Sequence, residues 1–212
     1  MSGDSLPAPP LGSADPVTHV LYLHGFRSGP RSTKAERMRG WLAEHRPQVT
    51  WRCPQLPASP AAALDLCLAE IAGWPFDTTA VFGSSLGGYY ATTIAERTGC
   101  RAVLLNPAIE PARDLAPFVG QPLTAWDGDA PFDFRAPHLD ELVAMAAPRI
   151  LTRPERVLAV VATGDELLDW REMKGRYPGS AVRVVEGSDH GLSDFDDHLP
   201  AIASFLGWRK PG

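Results

Sequence analysis

The stretch AVFGSSLGGYYAT, residues 80–92, passes from an apolar run through a glycine-flanked turn into a helix-like segment. Gly83 and Gly87 stand two residues on either side of Ser85, which gives the pattern G-x-S-x-G. Between a strand and a helix, the central serine of this pattern lies in a sharp, strained turn, and the glycines remove Cβ atoms that would collide there. The spacing therefore selects Ser85 as a candidate nucleophile, and Ser84 is expected to form a local hydrogen bond.

Apolar, strand-like runs alternate with helical patterns on both sides of this stretch. Most of these runs are near-continuous rather than alternating, which is typical of parallel strands that are buried on both faces. The sequence therefore predicts an α/β fold with a mostly parallel sheet of about six strands and helices on both faces. The expected strands are VTHVLYLHG (17–25), VTWRCPQLP (49–57), TTAVFGSS (78–85), RAVLLNPA (101–108), RVLAVVATGDE (156–166) and SAVRVVEGSDH (180–190).

The chain divides into a tail and one expected domain. Residues 1–16 are rich in Pro, Gly, Ser and Ala and lack the basic and apolar regions of a signal peptide, so we expect a disordered tail. Residues 17–212 are expected to form a single domain, in keeping with a chain of 212 residues. A stretch at about 109–152, rich in proline and aromatic residues, lacks clear periodicity and is expected to form a cap-like insertion.

Composition narrows the classes of function. The formal net charge is −5 and the basic residues are scattered, so nucleic acid is not an expected partner. No apolar run reaches the roughly 20 residues that span a bilayer, and the three cysteines, without metal-ligand spacing, favour reduced thiols in the cytoplasm. We therefore expect a cytoplasmic protein that acts on a small molecule, with no metal, cofactor or membrane partner and with its oligomeric state left open.

A serine hydroxyl near neutral pH needs an adjacent base, and that base must be oriented by a third group. In sheets that carry this turn, the acid and then the histidine follow the serine along the chain. Asp165 follows the fifth expected strand and His190 follows the sixth, at the carboxyl ends where sites form in such sheets. Glu166 and Asp169 are competing acids. The sequence thus predicts a catalytic triad of Ser85, Asp165 and His190.

Acyl transfer also requires hydrogen-bond donors for the tetrahedral oxyanion. The candidate pair is the backbone N–H of Leu86, directly after the serine, and that of Phe26, after the first expected strand. Trp126, Phe132 and Phe134 in the cap segment are candidate substrate-binding residues that would form an apolar wall for an acyl chain. Ordinary packing of these aromatic rings is the alternative.

A basic group follows the first expected strand and contains Arg27, Arg31 and Lys34. One hypothesis is that these cations attract an anionic leaving group, such as the phosphates of coenzyme A. The alternative is a solvated helix face with no role in the chemistry.

Taken together, the motifs resemble the YqiA family of small bacterial α/β-hydrolase esterases. The resemblance extends from about Val17 to Gly207 and implies a reduced α/β-hydrolase fold with a triad at Ser85, Asp165 and His190. It also implies hydrolysis of carboxylic esters, with acyl-CoA thioesters as a further candidate class. We expect the esters to carry short to medium acyl chains. The segments that carry the resemblance include LYLHGFRSGPRSTKA (21–35), VFGSSLGGYYAT (81–92), TGDELLD (163–169) and GSDHGLSDFDDHLPAIASFLG (187–207).

Two other functions remain compatible with these residues, because a fold does not fix a function. One is a binding protein of the hydrolase fold with little turnover. The other is a different acyl transfer, or perhydrolysis, that uses the same triad. Loss of ester turnover in Ser85→Ala argues against the first, and product analysis with competing nucleophiles separates the second.

Overall fold

The computed structural model describes residues 15–125 and 131–208, and its eight strands form two sheets. The larger sheet has six strands, all parallel, which confirms the predicted architecture. The strands are β1 (His19–Leu23), β2 (Thr50–Arg52), β3 (Thr79–Ser84), β4 (Arg101–Leu105), β5 (Leu123–Thr124), β6 (Pro131–Phe132), β7 (Val157–Ala162) and β8 (Ala181–Val185). The order across the large sheet is β2-β1-β3-β4-β7-β8.

Helices connect the strands of the large sheet. Several begin where local chemistry favours a start: Ser59 accepts a hydrogen bond from the Ala62 N–H, 3.2 Å away, and Pro60 occupies the first helical position. In the described residues the helices are α1 (Thr33–His45), α2 (Pro60–Glu70), α3 (Leu86–Thr98), α4 (Pro111–Leu115), α5 (Ala136–Ala144), α6 (Trp170–Arg176) and α7 (Leu199–Phe205).

The sheet separates two hydrophobic cores, because successive side chains of a strand point to opposite faces. In β1, Leu21 and Leu23 pack in the core that contains α2 and α3, while Val20 and Tyr22 pack in the core that contains α1 and α7. Burying side chains of this size contributes about 1.5–3 kcal/mol each relative to exposure. Both faces of the central strands are thus covered by apolar side chains, and polar functional groups can be accessible only at the ends of the strands.

The chain between β4 and β7, where the sequence predicts a cap-like insertion at about residues 109–152, forms several short secondary-structure elements. It contains α4, the two-stranded antiparallel hairpin β5–β6, and α5. The α5 helix docks on the amino-terminal end of α2, where Glu141 accepts hydrogen bonds from the Ser59 hydroxyl (2.8 Å) and the Ala61 N–H (3.0 Å). The Tyr89 hydroxyl of α3 donates to the Leu142 carbonyl at 2.7 Å. These contacts fix the cap segment against the core.

The three cysteines are free thiols: Cys67 and Cys100 are buried and Cys53 is half-buried. Burial raises the pKa of Cys53 and Cys67 to about 12 and that of Cys100 to about 11, so these thiols stay protonated at neutral pH. As for membranes, no helix in the described ranges combines the length and the apolar character that a bilayer span requires.

Candidate active site

The residues predicted to do chemistry lie at one edge of the large sheet, because its strands are all parallel and their carboxyl ends meet there. Ser85 directly follows β3, at the centre of the sheet. Asp165 and His190 lie in the loops that follow β7 and β8, and Phe26 lies in the loop that follows β1. The sequence order and the spatial grouping of these residues therefore agree.

Ser85 joins β3 to α3 in a left-handed backbone conformation, with φ 55° and ψ −120°. Its N–H donates to the Leu105 carbonyl at 3.1 Å, and its carbonyl accepts from the N–H groups of Gly88 (2.9 Å) and Ala108 (3.0 Å). These three hydrogen bonds hold a conformation that side-chain-bearing residues rarely adopt. The chain therefore leaves the direction of β3 at Ser85, at the carboxyl end of the strand.

The glycines beside Ser85 are required by close backbone packing. A Cβ on Gly83 would lie 2.1 Å from the Gly87 carbonyl oxygen, and a Cβ on Gly87 would lie 2.1 Å from the Leu23 carbonyl oxygen. Both distances are far below van der Waals contact. The pattern G-x-S-x-G therefore lets the start of α3 approach β3 and β1 closely enough to form the turn.

Asp165 and His190 form a hydrogen-bonded pair, with Asp165 Oδ2 and His190 Nδ1 2.8 Å apart. The Asp165 side chain is 0% exposed and that of His190 is 17% exposed. The second carboxylate oxygen accepts from the N–H groups of Leu167 and Leu168, each at 2.9 Å. Because an ionised carboxylate only accepts, Nδ1 of the neutral ring carries the proton and Nε2 is the basic nitrogen.

The environment of Asp165 keeps its carboxylate ionised. Burial by itself raises the pKa of the group. The hydrogen bond from His190, the positive charge of that ring when it is protonated, and the two backbone N–H groups outweigh this effect, so the net pKa lies below the ordinary value. The acid is thus suited to orient an imidazole and to stabilise its cation.

The two competing acids have other partners. Glu166 accepts from the backbone N–H of His190 at 3.0 Å, so it holds the main chain rather than the ring. Asp169 caps α6 by accepting from the Arg171 N–H at 2.8 Å. Among the three acids of this loop, Asp165 is the one that contacts the imidazole.

The predicted oxyanion donors belong to two backbone segments near Ser85. Leu86 is the first residue of α3, and Phe26 follows Gly25, whose added Cβ would lie 3.2 Å from the Ser85 Cβ. Within residues 15–125 and 131–208, neither the Leu86 nor the Phe26 N–H has a hydrogen-bond acceptor. Donors that are left unpaired beside a serine are what an oxyanion site requires.

The peptide group between Gly25 and Phe26 is held from its carbonyl side. His24 Nε2 accepts from the Leu56 N–H at 3.0 Å, so the proton of the neutral ring is on Nδ1. That Nδ1 lies 3.0 Å from the Gly25 carbonyl oxygen, which also accepts from the Ser28 N–H at 3.2 Å. Fixing the carbonyl on one side fixes the direction of the Phe26 N–H on the other.

Two side chains outside the predicted triad, those of Asn106 and Lys34, support the loop that carries His190. Asn106, fully buried after β4, donates from Nδ2 to the carbonyls of Asp189 (2.9 Å) and His190 (3.2 Å). Its Oδ1 accepts from the Ala162 N–H at 2.8 Å. The φ of Asn106 is 42°, a value that asparagine tolerates well. The one local sequence feature that could have indicated its role is an asparagine between an apolar run and a proline.

Lys34, one of the cations that the sequence suggests could attract an anionic leaving group, is the second of these side chains. Its Nζ donates to the carbonyl of Gly191 at 2.7 Å and lies 3.4 Å from that of His190. Arg27, from the same basic group, donates to the Thr124 carbonyl at 2.7 Å and so joins the β1 loop to the cap. Both side chains are engaged in holding loops.

An aromatic cluster joins the loop after β1 to the cap. The ring of Phe26 lies 5.5 Å from that of Phe118 and 5.1 Å from those of Phe132 and Phe134, measured between ring centroids. Phe134 is 1% exposed, so it packs beneath the cluster, whereas Phe132 is half-buried. The third residue of the predicted apolar wall, Trp126, lies outside the described residues.

Two large surface cavities do not include the triad. A groove of about 1620 Å³ lies between α1 and α7, and a cavity of about 730 Å³ lies between α3, α5 and α6. Neither is lined by Ser85, Asp165 or His190. In the described part of the chain, no group of three or more His, Cys, Asp or Glu side chains is placed to hold a metal ion. The candidate site is therefore defined by its side-chain and backbone geometry.

Comparison with known proteins identifies the family of the chain and its fold. The model of the uncharacterised protein family UPF0227 matches residues 19–207, which confirms the resemblance drawn from the sequence motifs. A protein from Agrobacterium vitis S4 is 18% identical, with a TM-score of 0.70 over 89% of this chain and 87% of that one. The alpha/beta hydrolase domain-containing protein 10 from mouse is 14% identical, with a TM-score of 0.68 over 89% of each chain.

A third similar structure is Est1E from Butyrivibrio proteoclasticus, which was solved with ferulic acid bound. It is 17% identical, with a TM-score of 0.61 over 93% of this chain and 89% of that one. At these identities the likeness concerns the fold, and the fold is that of the α/β hydrolases.

Proposed function

Because this chain belongs to the UPF0227 family and has the fold of the α/β hydrolases, we propose that it is a serine hydrolase that cleaves carboxylic esters. One observation carries the proposal. The hydrogen-bonded pair of Asp165 and His190 lies at the same sheet edge as the strained turn of Ser85. A buried acid, an imidazole that it orients and a half-buried serine are the three parts that a nucleophilic triad requires.

The proposed reaction begins when His190 Nε2 takes the proton of the Ser85 hydroxyl during attack on the ester carbonyl. The N–H groups of Phe26 and Leu86 stabilise the oxyanion, and Asp165 stabilises the imidazolium that has formed. His190 then protonates the leaving alcohol or thiol, which departs as the acyl-enzyme forms. Water, activated by the same imidazole, attacks the acyl-enzyme and releases the acid.

The substrates that we propose are esters of short to medium acyl chains, and acyl-CoA thioesters are included as a candidate class. The aromatic cluster supports this choice, because Phe26 contributes both an oxyanion donor and a ring that touches Phe118 and Phe132. An acyl chain attached to Ser85 would therefore start beside an apolar wall. Trp126 remains a candidate for the same wall.

The test compares wild-type protein with Ser85→Ala on p-nitrophenyl acetate, butyrate and octanoate near pH 8. We expect turnover by the wild type and a loss of about 10³-fold or more in the variant, as is typical when a triad member is removed. Ser84→Ala is the matched control, because it removes the neighbouring hydroxyl, 7% exposed at the end of β3, and leaves the nucleophile in place. Equal, slow background rates in wild type and Ser85→Ala would overturn the proposal in favour of a binding protein.

A further inference from the structure

We propose that Lys34 is a positioning residue for the catalytic base: it holds the backbone of the His190 loop from α1, together with the carboxamide of Asn106. The inference rests on the proposed function, in which His190 is the base. Lys34 does not contact the reacting atoms. It acts on the main chain that carries the imidazole.

The loop after β8 needs such support because its main chain is irregular. Ser188 and Leu192 both have left-handed backbones, with φ 58° and 48°. The carbonyls of Asp189, His190 and Gly191 turn toward Asn106 and Lys34 rather than into regular secondary structure. Carbonyl groups that turn inward need donors, since leaving one unpaired costs about 1–3 kcal/mol.

His190 is thereby fixed on both sides of its Cα. Its N–H donates to the Glu166 carboxylate at 3.0 Å, and its carbonyl lies 3.2 Å from Asn106 Nδ2 and 3.4 Å from Lys34 Nζ. With the main chain held, the side chain meets Asp165 at 2.8 Å. The position of the ring thus depends on donors from α1 and from the end of β4.

A lysine at this position is costly unless it serves a purpose, because ammonium groups are ordinarily solvated. Burial lowers the pKa of Lys34 to about 8, against the opposing effect of the carboxylates of Asp189 and Asp165. An apolar residue would avoid that cost but would supply no donor to the two carbonyls. The ammonium group, with three N–H donors and no acceptor, suits a site made of carbonyl oxygens.

The position of Lys34 in the chain adds a second observation. The segment from Gly25 to Lys34 begins with the peptide that presents the Phe26 N–H and ends with the ammonium group that supports the base. One short segment thus connects the oxyanion donor to the loop of the general base. A displacement of this segment would therefore move both the Phe26 N–H and the support of the His190 loop.

The test compares Lys34→Met, which keeps the aliphatic stem, with Lys34→Arg, which keeps the charge and the donors. Arg39→Met is the matched control, since Arg39 lies on the same helix, is exposed and pairs with Glu36. Displacing a catalytic group by about 1 Å can cost about 10²-fold. We therefore expect kcat for p-nitrophenyl butyrate to fall by about 10²-fold in Lys34→Met, with KM unchanged, substantial recovery in Lys34→Arg, and wild-type kinetics in Arg39→Met.

A readout that does not need turnover separates this inference from the proposed function. The His190 Nδ1 proton, bound to Asp165, should give a low-field NMR resonance in wild type, Lys34→Arg and Arg39→Met, and should lose it in Lys34→Met. If the resonance is lost only in Lys34→Met but the wild type does not hydrolyse esters, the proposed function is wrong and the positioning of His190 by Lys34 is supported. An unchanged resonance and an unchanged kcat in Lys34→Met would overturn the positioning role. If Lys34→Met does not fold, Lys34→Gln replaces it in both measurements.

Discussion

Ser85 adopts φ 55° and ψ −120°, a conformation that costs a residue with a side chain about 1–3 kcal/mol. Three backbone hydrogen bonds and the close approach of Gly87 to β1 hold it there. The role of Gly83 and Gly87 could be predicted from the sequence, because their spacing around Ser85 has a steric cause. The roles of Lys34 and Asn106 in supporting the His190 loop could not be predicted, because no local sequence pattern indicates which loop carbonyls turn inward and accept from a distant side chain.

Replacing Gly83 by alanine should destabilise the protein, because the new Cβ would lie 2.1 Å from a backbone oxygen that cannot move without opening the turn. We expect a loss of about 1–3 kcal/mol in the free energy of unfolding, measured by urea denaturation. Gly40→Ala is the control: Gly40 lies inside α1 with nothing within 4 Å of an added Cβ, so it should gain about 0.5–1 kcal/mol. Equal effects at the two positions would refute the steric account.

Lys34 should make stability depend on pH in the alkaline range. Burial lowers its pKa from 10.5 to about 8, so between these values the unfolded chain binds more protons than the folded one, and stability rises with pH. Lys34→Met lacks this contribution. The difference in free energy of unfolding between wild type and Lys34→Met should therefore be flat below pH 8 and shift in favour of the wild type up to pH 10.5. Parallel curves across this range would contradict the partial burial of the ammonium group.

At the scale of elements, the expected strands and long helices could be predicted because burial on two faces leaves a continuous apolar pattern. The expected second strand, residues 49–57, is shorter in the structure, where Thr50–Arg52 pairs with β1. The hairpin β5–β6 and the helices α4 and α5 were not predicted, since elements of two to nine residues carry too little periodicity. Their stability comes from contacts with other elements.

The contact between Ser59 and Glu141 tests this dependence of α5 on α2. Ser59→Ala should cost about 1 kcal/mol, because it removes a helix cap. Combined with Glu141→Gln in a double-mutant cycle, it should show a coupling energy of about 0.5 kcal/mol or more, because both residues share one hydrogen-bond network. Asp140→Asn, on the exposed side of α5, should add independently to Ser59→Ala. Additive effects in both pairs would mean that the cap helix does not depend on this contact.

At the scale of the whole molecule, one parallel sheet brings to a single edge residues that are far apart in sequence. That edge could be predicted, because the strand order of a parallel sheet places all carboxyl ends together. The way in which the cap segment attaches to the rest of the domain could not be predicted from the sequence. It depends on the Arg27 hydrogen bond to Thr124 and on the rings of Phe26, Phe118 and Phe132, which come from separate parts of the chain.

The aromatic cluster should set the acyl preference if it forms part of the substrate pocket. Phe132→Ala removes a half-buried ring beside Phe26, so the optimum among p-nitrophenyl esters should move to longer acyl chains, with each methylene worth about 1–3 kcal/mol in kcat/KM. Phe76→Ala, a ring 38% exposed before β3, is the control and should leave the profile unchanged. A wild-type chain-length profile in Phe132→Ala would show that the ring only packs.

The central claim is that Ser85 is a nucleophile activated by His190, and covalent trapping tests it most directly. The measurement is mass-spectrometric mapping of the site labelled by an alkyl fluorophosphonate, which reacts with activated serine hydroxyls, in wild type, Ser84→Ala and Ser85→Ala. The account predicts one adduct on Ser85 in the wild type and in Ser84→Ala, and none in Ser85→Ala. An adduct on Ser84, or a wild-type protein that hydrolyses esters while Ser85 stays unlabelled, would contradict it.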